Sequence, residues 1–243
     1  MNDKVVLISG GGSGFGKAMA LKFASEGSKV LISGRRPEKL EMTAAETKKA
    51  CPGATIEYIR ADMGRLEEAQ AMVDRAVELW GGVDVLINNA GGGVRIAPFD
   101  TYTQQEIQTI IEINLMTAIQ GCQAVIPLMK RQRSGVIINV ASACAKHAWP
   151  SWSVYTAAKM GLLGLSRCLY AELRPHGVRV GTLVPGASET EFSQAAGALY
   201  GLDGDSLTAE DVAASAYLMA SLPQRAAIEE LVVWGTNQEV IPL

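Results

Sequence analysis

Short apolar runs alternate with longer amphipathic segments along the chain. The short runs are rich in Val, Ile and Leu, as in buried strands, and the longer segments carry apolar residues at helical spacing. The pattern predicts strands at 4–9, 28–33, 55–60, 83–88, 135–141, 178–184 and 229–234. It predicts helices at 14–26, 37–50, 65–80, 103–132, 153–174 and 209–221.

This alternation predicts one α/β domain over residues 1–243. Parallel strands need crossover connections, and a helix after each strand provides them. No Pro/Ser-rich linker or internal repeat interrupts the order. We therefore expect a Rossmann-type doubly wound parallel sheet with helices on both faces. The Gly-Leu-Asp-Gly-Asp stretch lies in a segment, 187–207, that we expect to form a substrate lid.

A glycine-rich turn joins the first predicted strand to the first predicted helix. Glycines let the backbone approach a pyrophosphate closely, and a helix N-terminus supplies free N–H groups and positive potential. The spacing is GxxxGxG, and a merely flexible turn is the alternative. The strand and helix on either side favour a dinucleotide site that includes Gly10, Gly12, Ser13, Gly14, Phe15 and Gly16.

The residues after the second strand bear on the choice of cofactor. A carboxylate here would bind the ribose 2′-OH of NAD, but the chain has Arg35 and Arg36, with no carboxylate before Glu38. Two guanidinium groups suit a 2′-phosphate. Alternatively, one arginine caps the loop or stacks on adenine. NADP(H) is favoured and NAD(H) remains possible.

Tyr155 and Lys159 lie one helical turn apart, and Ser142 precedes the tyrosine by thirteen residues. A phenol with a pKa of about 10 exchanges protons poorly at neutral pH. An ammonium on the same helix face favours the phenolate, so we expect a lowered pKa for Tyr155. The Ser142 hydroxyl would then hold a substrate oxygen while its proton moves.

Six motifs in register resemble the short-chain dehydrogenase/reductase family. They are Ser9-Gly10-xxx-Gly14-x-Gly16, Asn88-Asn-Ala-Gly91, Asn114, Ser142, Tyr155-xxx-Lys159 and Pro185-Gly186. The likeness covers essentially the whole chain. Ser9 stands where the family usually has threonine, and the hydroxyl is kept.

The resemblance implies an enzyme that transfers hydride between a nicotinamide and a carbonyl or alcohol. It gives Asn114 a place in a proton relay with Ser142, Tyr155 and Lys159. Without the resemblance, Asn114 would be a hydrogen-bonded asparagine in the core and Asp62 an ordinary helix cap. Further cofactor contacts implied by the resemblance are Asp62, Met63, Asn89, Ala90, Gly91, Tyr155, Lys159, Pro185, Gly186, Ser188 and Thr190.

The substrate is left open between two classes. We expect stretches 143–153 and 187–207 to line the pocket, with Ser142, Cys144, Trp149, Trp152 and Tyr155 facing the substrate. Two stretches resemble enzymes acting on serine and other 3-hydroxy acids: Thr190-Glu-Phe-Ser193, and the C-terminal pattern Ser221-Leu-Pro…Ile-Glu-Glu-Leu…Thr-Asn-Gln238. Trp234-Gly235 stands where that branch usually has a proline. This likeness favours a small hydroxy acid or aldehyde.

The tryptophans favour a bulkier alicyclic or steroid-like ketone instead. Arg95 is a candidate for a substrate anion, or a solvated loop residue, and His147 for substrate contact or loop packing. A non-catalytic nucleotide sensor on the same fold is a remote alternative, because both Tyr155 and Lys159 are present.

Composition limits the other partners. A net charge of −3 argues against nucleic acid, and two histidines without clustered carboxylates argue against a metal site. Four cysteines without CxxC spacing indicate free thiols in a reducing cytoplasm. We see no signal pattern or apolar run of 18 residues, and expect no membrane insertion. Helices 103–132 and 153–174 imply, by resemblance, a homotetramer or homodimer.

Overall fold

The computed structural model describes residues 1–92, 95–188 and 206–238. Within them the strands form one parallel seven-stranded sheet in the order β3-β2-β1-β4-β5-β6-β7. The strands are β1 Val5–Ser9, β2 Lys29–Gly34, β3 Ile56–Arg60, β4 Val85–Asn88, β5 Gly135–Val140, β6 Val178–Pro185 and β7 Glu230–Val233. The strand order reverses between β1 and β4, so the predicted doubly wound topology is confirmed.

Helices cover both faces of this sheet. They are α1 Gly14–Ser25, α2 Pro37–Ala50, α3 Leu66–Trp80, α4 Gln104–Ile111, α5 Thr117–Gln132, α6 Ser153–Leu173 and α7 Ala209–Ser221. Successive residues of a strand point to opposite faces. Val6 and Ile8 of β1 therefore pack with α1, α2 and α7, whereas Leu7 packs with α3 and α5. Burial on both faces explains why the strands read as continuous apolar runs.

The predicted helix at 103–132 is interrupted by a π-helical turn at Glu112–Met116 that joins α4 to α5. Such a turn inserts one residue and loosens the regular backbone hydrogen bonds. The Asn114 side chain donates to the Ile110 carbonyl at 3.0 Å, and the Thr117 hydroxyl donates to the Ile113 carbonyl at 2.9 Å. These two bonds explain how the wider turn keeps its carbonyl groups satisfied.

The continuous helical stretch Gln104–Gln132 is long enough to cross a membrane, and its most apolar window has a mean hydropathy of 1.3. Such values are also typical of core helices in globular domains. Here α5 packs against α3, β4 and β5, and α4 packs against α6. We interpret the stretch as a core helix of this domain.

Candidate active site

A cleft of about 1750 Å³ opens at the carboxyl ends of the strands. It follows the residues that end β1, β4, β5 and β6, and the loops after them. Open α/β sheets bind ligands at this edge, where the strand order reverses. The position alone therefore marks the cleft as the first candidate for a functional site.

The Ser9 hydroxyl ties the ends of β1 and β4 together beneath the cleft. Its oxygen accepts the backbone N–H groups of Asn89 and Ala90, each at 3.0 Å. The Asn89 side chain donates in return to the carbonyl oxygens of Ser9 and Gly10, at 3.0 and 3.3 Å. Ser9, which stands where a threonine was expected, thus uses its hydroxyl to hold the glycine turn against the Asn89–Gly91 segment.

The glycine turn itself fits a dinucleotide phosphate. Gly10 has a φ of +69°, which favours glycine, and a Cβ at Gly16 would collide with the Gly10 carbonyl oxygen. Gly10, Gly12, Ser13, Gly14 and Phe15 line the cleft, and helix α1 begins at Gly14. Free N–H groups at a helix start, approached over glycines without side chains, are suited to a pyrophosphate. Gly16 is buried beneath them.

Three cations gather at one end of the cleft. Arg35, Arg36 and Lys39 line it, and Arg36 donates to the Ser13 hydroxyl at 3.5 Å. The Cβ of Lys39 lies 3.0 Å from where a Cβ on Gly12 would be. Sequence reasoning missed Lys39, although its place in the first turn of α2, after Arg36, was the available signal.

Asp62 and Met63 lie at the same end and line the cleft. The Asp62 carboxylate accepts the Gly64 N–H at 3.1 Å, so it shapes the turn after β3. Helix α3 begins later, with Arg65 as its N-cap, and the reading of Asp62 as a helix cap is wrong. The carboxylate remains available at the cleft wall.

Ser142, Tyr155 and Lys159 meet on the floor of the cleft. The Tyr155 side chain is hydrogen-bonded to that of Ser142. The Lys159 ammonium donates to the Val140 carbonyl at 3.1 Å and lies 5.7 Å from the centre of the Tyr155 ring. Both Tyr155 and Lys159 are buried. Strand β5 and helix α6 therefore bring the sequence-predicted hydroxyl, phenol and amine together.

The pKa of Tyr155 differs from our expectation. Burial raises the pKa of the phenol, the nearby Cys144 thiol adds to the rise, and the hydrogen bond with Ser142 opposes it. Burial also lowers the pKa of Lys159 to about 8, so the ammonium is itself disfavoured. The helix spacing correctly placed Lys159 beside the phenol, but it did not reveal the removal from water that is the largest cause of the raised pKa.

Asn114 lies on the π turn and joins this centre through Gly91 and Gly92. Its side chain accepts the Gly92 N–H at 2.9 Å and donates to the Gly92 carbonyl at 3.0 Å. A Cβ on Gly91 would lie 3.1 Å from the Asn114 oxygen and 3.4 Å from the Lys159 nitrogen. The side chain of Asn114 is thus buried and hydrogen-bonded, and Asn114 and Lys159 both border Gly91.

Aromatic side chains line the end of the cleft nearest Tyr155. Trp152 packs against Tyr155 with ring centres 5.6 Å apart, and Trp149 also lines the cleft. Cys144 is buried there, its N–H bonded to the Ser142 hydroxyl at 3.2 Å, and burial raises the pKa of its thiol. Other residues that line the cleft, and that sequence reasoning missed, include Ile96, Thr109, Glu112, Met116, Asn237 and Gln238.

Arg95 and His147 contact neighbouring side chains of the protein. The Arg95 guanidinium pairs with Glu106 at 2.8 Å and stacks over the Tyr102 ring at 5.1 Å. His147 packs between Trp149 and Trp234, with ring centres 5.9 and 5.6 Å away. Neither residue is among those that line the cleft. These contacts favour a structural role in the loops for both residues over contact with the substrate.

Pro185 ends β6, Gly186 and Ser188 follow it, and all three residues line the cleft. The Ser188 hydroxyl is buried without a hydrogen-bond partner among the described residues, which is compatible with a role in holding a polar ligand group. Thr190 and most of the predicted lid lie outside the described residues. Of that segment, Ser188 and Leu207 form a parallel bridge.

The comparisons with known proteins point to one family. The family model described as short chain dehydrogenase matches residues 4–199. Serine 3-dehydrogenase of Agrobacterium fabrum is 33% identical and covers 96% of this chain and 94% of its own. Levodione reductase of Leifsonia aquatica is 35% identical over 76% of this chain and 69% of its own.

Solved structures agree with these relatives. Serine dehydrogenase complexed with NADP+ has a TM-score of 0.88, 28% identity and 98% coverage of both chains. A 3-ketoacyl-(acyl-carrier-protein) reductase from Brucella melitensis complexed with NADH has a TM-score of 0.89 and 30% identity, covering 97% of this chain and 98% of its own. The chain therefore belongs to the short-chain dehydrogenase/reductase family, as an oxidoreductase that acts on CH–OH donors by hydride transfer with a nicotinamide cofactor.

Proposed function

We propose that this enzyme interconverts a carbonyl and an alcohol with Tyr155 as proton donor and acceptor, and that it prefers NADP(H). The observation that carries the proposal is the hydrogen-bonded pair of Ser142 and Tyr155 hydroxyls beside the buried Lys159. When bound, the nicotinamide supplies or removes the hydride. The chain contributes the binding of the substrate oxygen and the proton.

The raised pKa of Tyr155 suits reduction. A neutral phenol holds its proton at pH 7 and can donate it to an oxygen that develops alkoxide character, which is far more basic. Ser142 donates a hydrogen bond to the same oxygen and keeps it within reach of the phenol. Lys159, when charged, stabilises the phenolate that remains. Asn114 holds the backbone of Gly92, which follows Gly91 beside the lysine.

Preference for NADP(H) is supported by the cluster of Arg35, Arg36 and Lys39 at the adenosine end. A 2′-phosphate carries up to two negative charges, and guanidinium groups bind it with two parallel hydrogen bonds. The Ser13 hydroxyl, already bonded to Arg36, adds a neutral donor. NAD(H) use is the alternative, since no carboxylate is required to admit an unmodified ribose.

The double substitution Arg35→Ser/Arg36→Ser tests this preference. We expect kcat/KM with NADPH to fall by at least about 10²-fold, because each of the two arginines loses at least one charge-assisted hydrogen bond worth about 1.5–3 kcal/mol. With NADH, kcat/KM should change by less than about threefold. Arg131→Ser, at an exposed position near the end of α5, is the matched control. An equal fall with both coenzymes would contradict the assignment.

For the substrate we propose a small hydroxy acid or its aldehyde. The support is the likeness to serine 3-dehydrogenase, which extends over nearly the whole of both chains. A bulkier alicyclic ketone is the second candidate, since Trp149 and Trp152 give the wall beside Tyr155 an apolar surface. The ketone is also favoured because Arg95, the candidate partner for a substrate anion, is paired with Glu106 and does not line the cleft.

A substrate panel distinguishes these classes, with hydroxy acids offered NADP+ or NAD+ and carbonyl compounds offered NADPH or NADH. Serine, 3-hydroxypropionate and small aldehydes form one group, and cyclic diones and decalones form the other. We expect turnover in the first group, as oxidation of the hydroxy acids with NADP+ and reduction of the aldehydes with NADPH. Trp149→Ala should leave kcat/KM for the small group within about threefold, whereas loss for cyclic ketones alone would favour the bulkier class. Absence of turnover in both groups, with coenzyme bound, would revive the nucleotide-sensing alternative.

We further propose a cytoplasmic homotetramer or homodimer. The four cysteines are free, which is compatible with a reducing compartment. Phe99 and Met160, near α4 and on α6, are 63% and 41% exposed and provide apolar surface for a second subunit. Light scattering coupled to size exclusion measures the mass, and a monomer would contradict the proposal.

A further inference from the structure

The turn that ends β6 is held by the C-terminal segment Trp234–Gln238. The Gly186 N–H donates to the Val233 carbonyl at 2.8 Å, as the last bond beside β7. The next N–H, that of Ala187, donates at 2.8 Å to the side-chain oxygen of Gln238. Ala187 is exposed, so this side-chain acceptor stands where the sheet no longer supplies one.

The packing around this bond is close. A Cβ on Gly186 would collide with the Gln238 side-chain oxygen and lie 2.9 Å from the Trp234 ring. Gln238 is itself fixed by its backbone N–H, which donates to the Gly235 carbonyl at 3.0 Å. The absence of a side chain at Gly186 is therefore what lets the glutamine reach the Ala187 N–H.

The same segment also contacts the opposite wall. Trp234 packs edge-to-face on His147, and His147 packs on Trp149, which lines the substrate end of the cleft. Gly235, Asn237 and Gln238 line the cleft themselves. The C-terminal segment thus connects the turn after β6 with the loop that carries Ser142.

We propose that Gln238 is a positioning residue for the nicotinamide half of the cofactor. By accepting the Ala187 N–H it keeps the Pro185–Ala187 turn in the shape that receives that half. Without the acceptor the turn samples other conformations, and binding then has to restrict them. The inference rests on the proposed function, since hydride transfer beside Tyr155 requires the nicotinamide half to lie near Ser142, and the turn follows β6, the strand paired with β5, which leads to Ser142.

Gln238→Met removes the acceptor at similar length, and Gln238→Glu keeps an oxygen in its place. Thr236→Ala, exposed in the same segment, is the matched control. In the protein without cofactor, we expect amide hydrogen exchange at Ala187 to become at least about tenfold faster in Gln238→Met. Exchange in Gln238→Glu and Thr236→Ala should stay near that of the wild type.

Binding measurements then show which half of the cofactor depends on Gln238. We expect Gln238→Met to weaken the binding of NADPH by about tenfold. The affinity for 2′,5′-ADP, which lacks the nicotinamide, should stay within twofold of the wild-type value. If the wild type uses NADH, the pair is NADH and AMP. Unchanged exchange at Ala187, or equal weakening of the coenzyme and its fragment, would overturn this inference alone. Wild-type protein that binds neither coenzyme would overturn the proposed function together with it.

Discussion

Tyr155→Phe is expected to lower kcat for carbonyl reduction by about 10³-fold while the affinity for the reduced coenzyme stays within twofold. The substitution removes one oxygen and keeps the ring that packs against Trp152. Without the phenol, the proton must come from water or from Ser142, and loss of a positioned acid costs about 10²–10⁴-fold. Steady-state kinetics and coenzyme fluorescence titration measure the two quantities separately.

The control for this variant is Tyr58→Phe on the sheet-edge strand β3, where the tyrosine is 40% exposed. It loses the same atom and should retain full activity. A Tyr155→Phe enzyme with more than a tenth of the wild-type kcat would show that another group supplies the proton. A parallel loss of coenzyme binding would instead indicate a disturbed cleft.

Lys159→Met is expected to lower kcat by at least about 10²-fold. In the cofactor-free protein, the free energy of unfolding of the variant minus that of the wild type should be larger at pH 7 than at alkaline pH. In the folded protein the pKa of Lys159 is about 8, below its ordinary value of 10.5. The unfolded chain therefore binds this proton more tightly. In the wild type, the charge on Lys159 therefore opposes folding fully below pH 8, and this free-energy cost disappears as the pH rises toward 10.5.

Methionine at this position carries no such cost, although it gives up the hydrogen bond to the Val140 carbonyl. The free energy of unfolding of the variant minus that of the wild type should therefore fall by about 2 kcal/mol between pH 7 and 9.5. Urea unfolding at fixed protein concentration measures it. Lys130→Met, at an exposed site on α5, should show no such trend. A difference that is constant with pH would contradict a desolvated Lys159.

Most of the fold could be predicted because the five central strands of the sheet are buried on both faces and each crossover is helical. These features leave a clear pattern in the sequence, and the observed strands and helices begin within two residues of the predicted bounds apart from the break at the π turn. That break could not be predicted, since Asn114 and Thr117 look like ordinary polar residues in a helix. Their role becomes visible only in the structure, where their side chains donate hydrogen bonds to the carbonyl groups of Ile110 and Ile113.

The candidate site was predictable where its residues belong to local motifs. The glycine turn and the Tyr155–Lys159 pair are of this kind, and the structure brings them into one cleft. Contacts between distant segments left no local signal, as with Ala187 and Gln238, which are 51 residues apart. The raised pKa of Tyr155 was missed for a related reason, because spacing reveals the nearest charge but not the loss of water around it.

The π turn also limits how this chain can be altered. One extra residue between α4 and α5 sets the rotation of every side chain that follows, including the face of α5 that packs on β4 and β5. Removing a single residue from Glu112–Met116 would restore a regular α-helix and turn that face by about 100°. Chimaeras with other members of the family should therefore exchange 104–132 as one unit, with the junctions outside it.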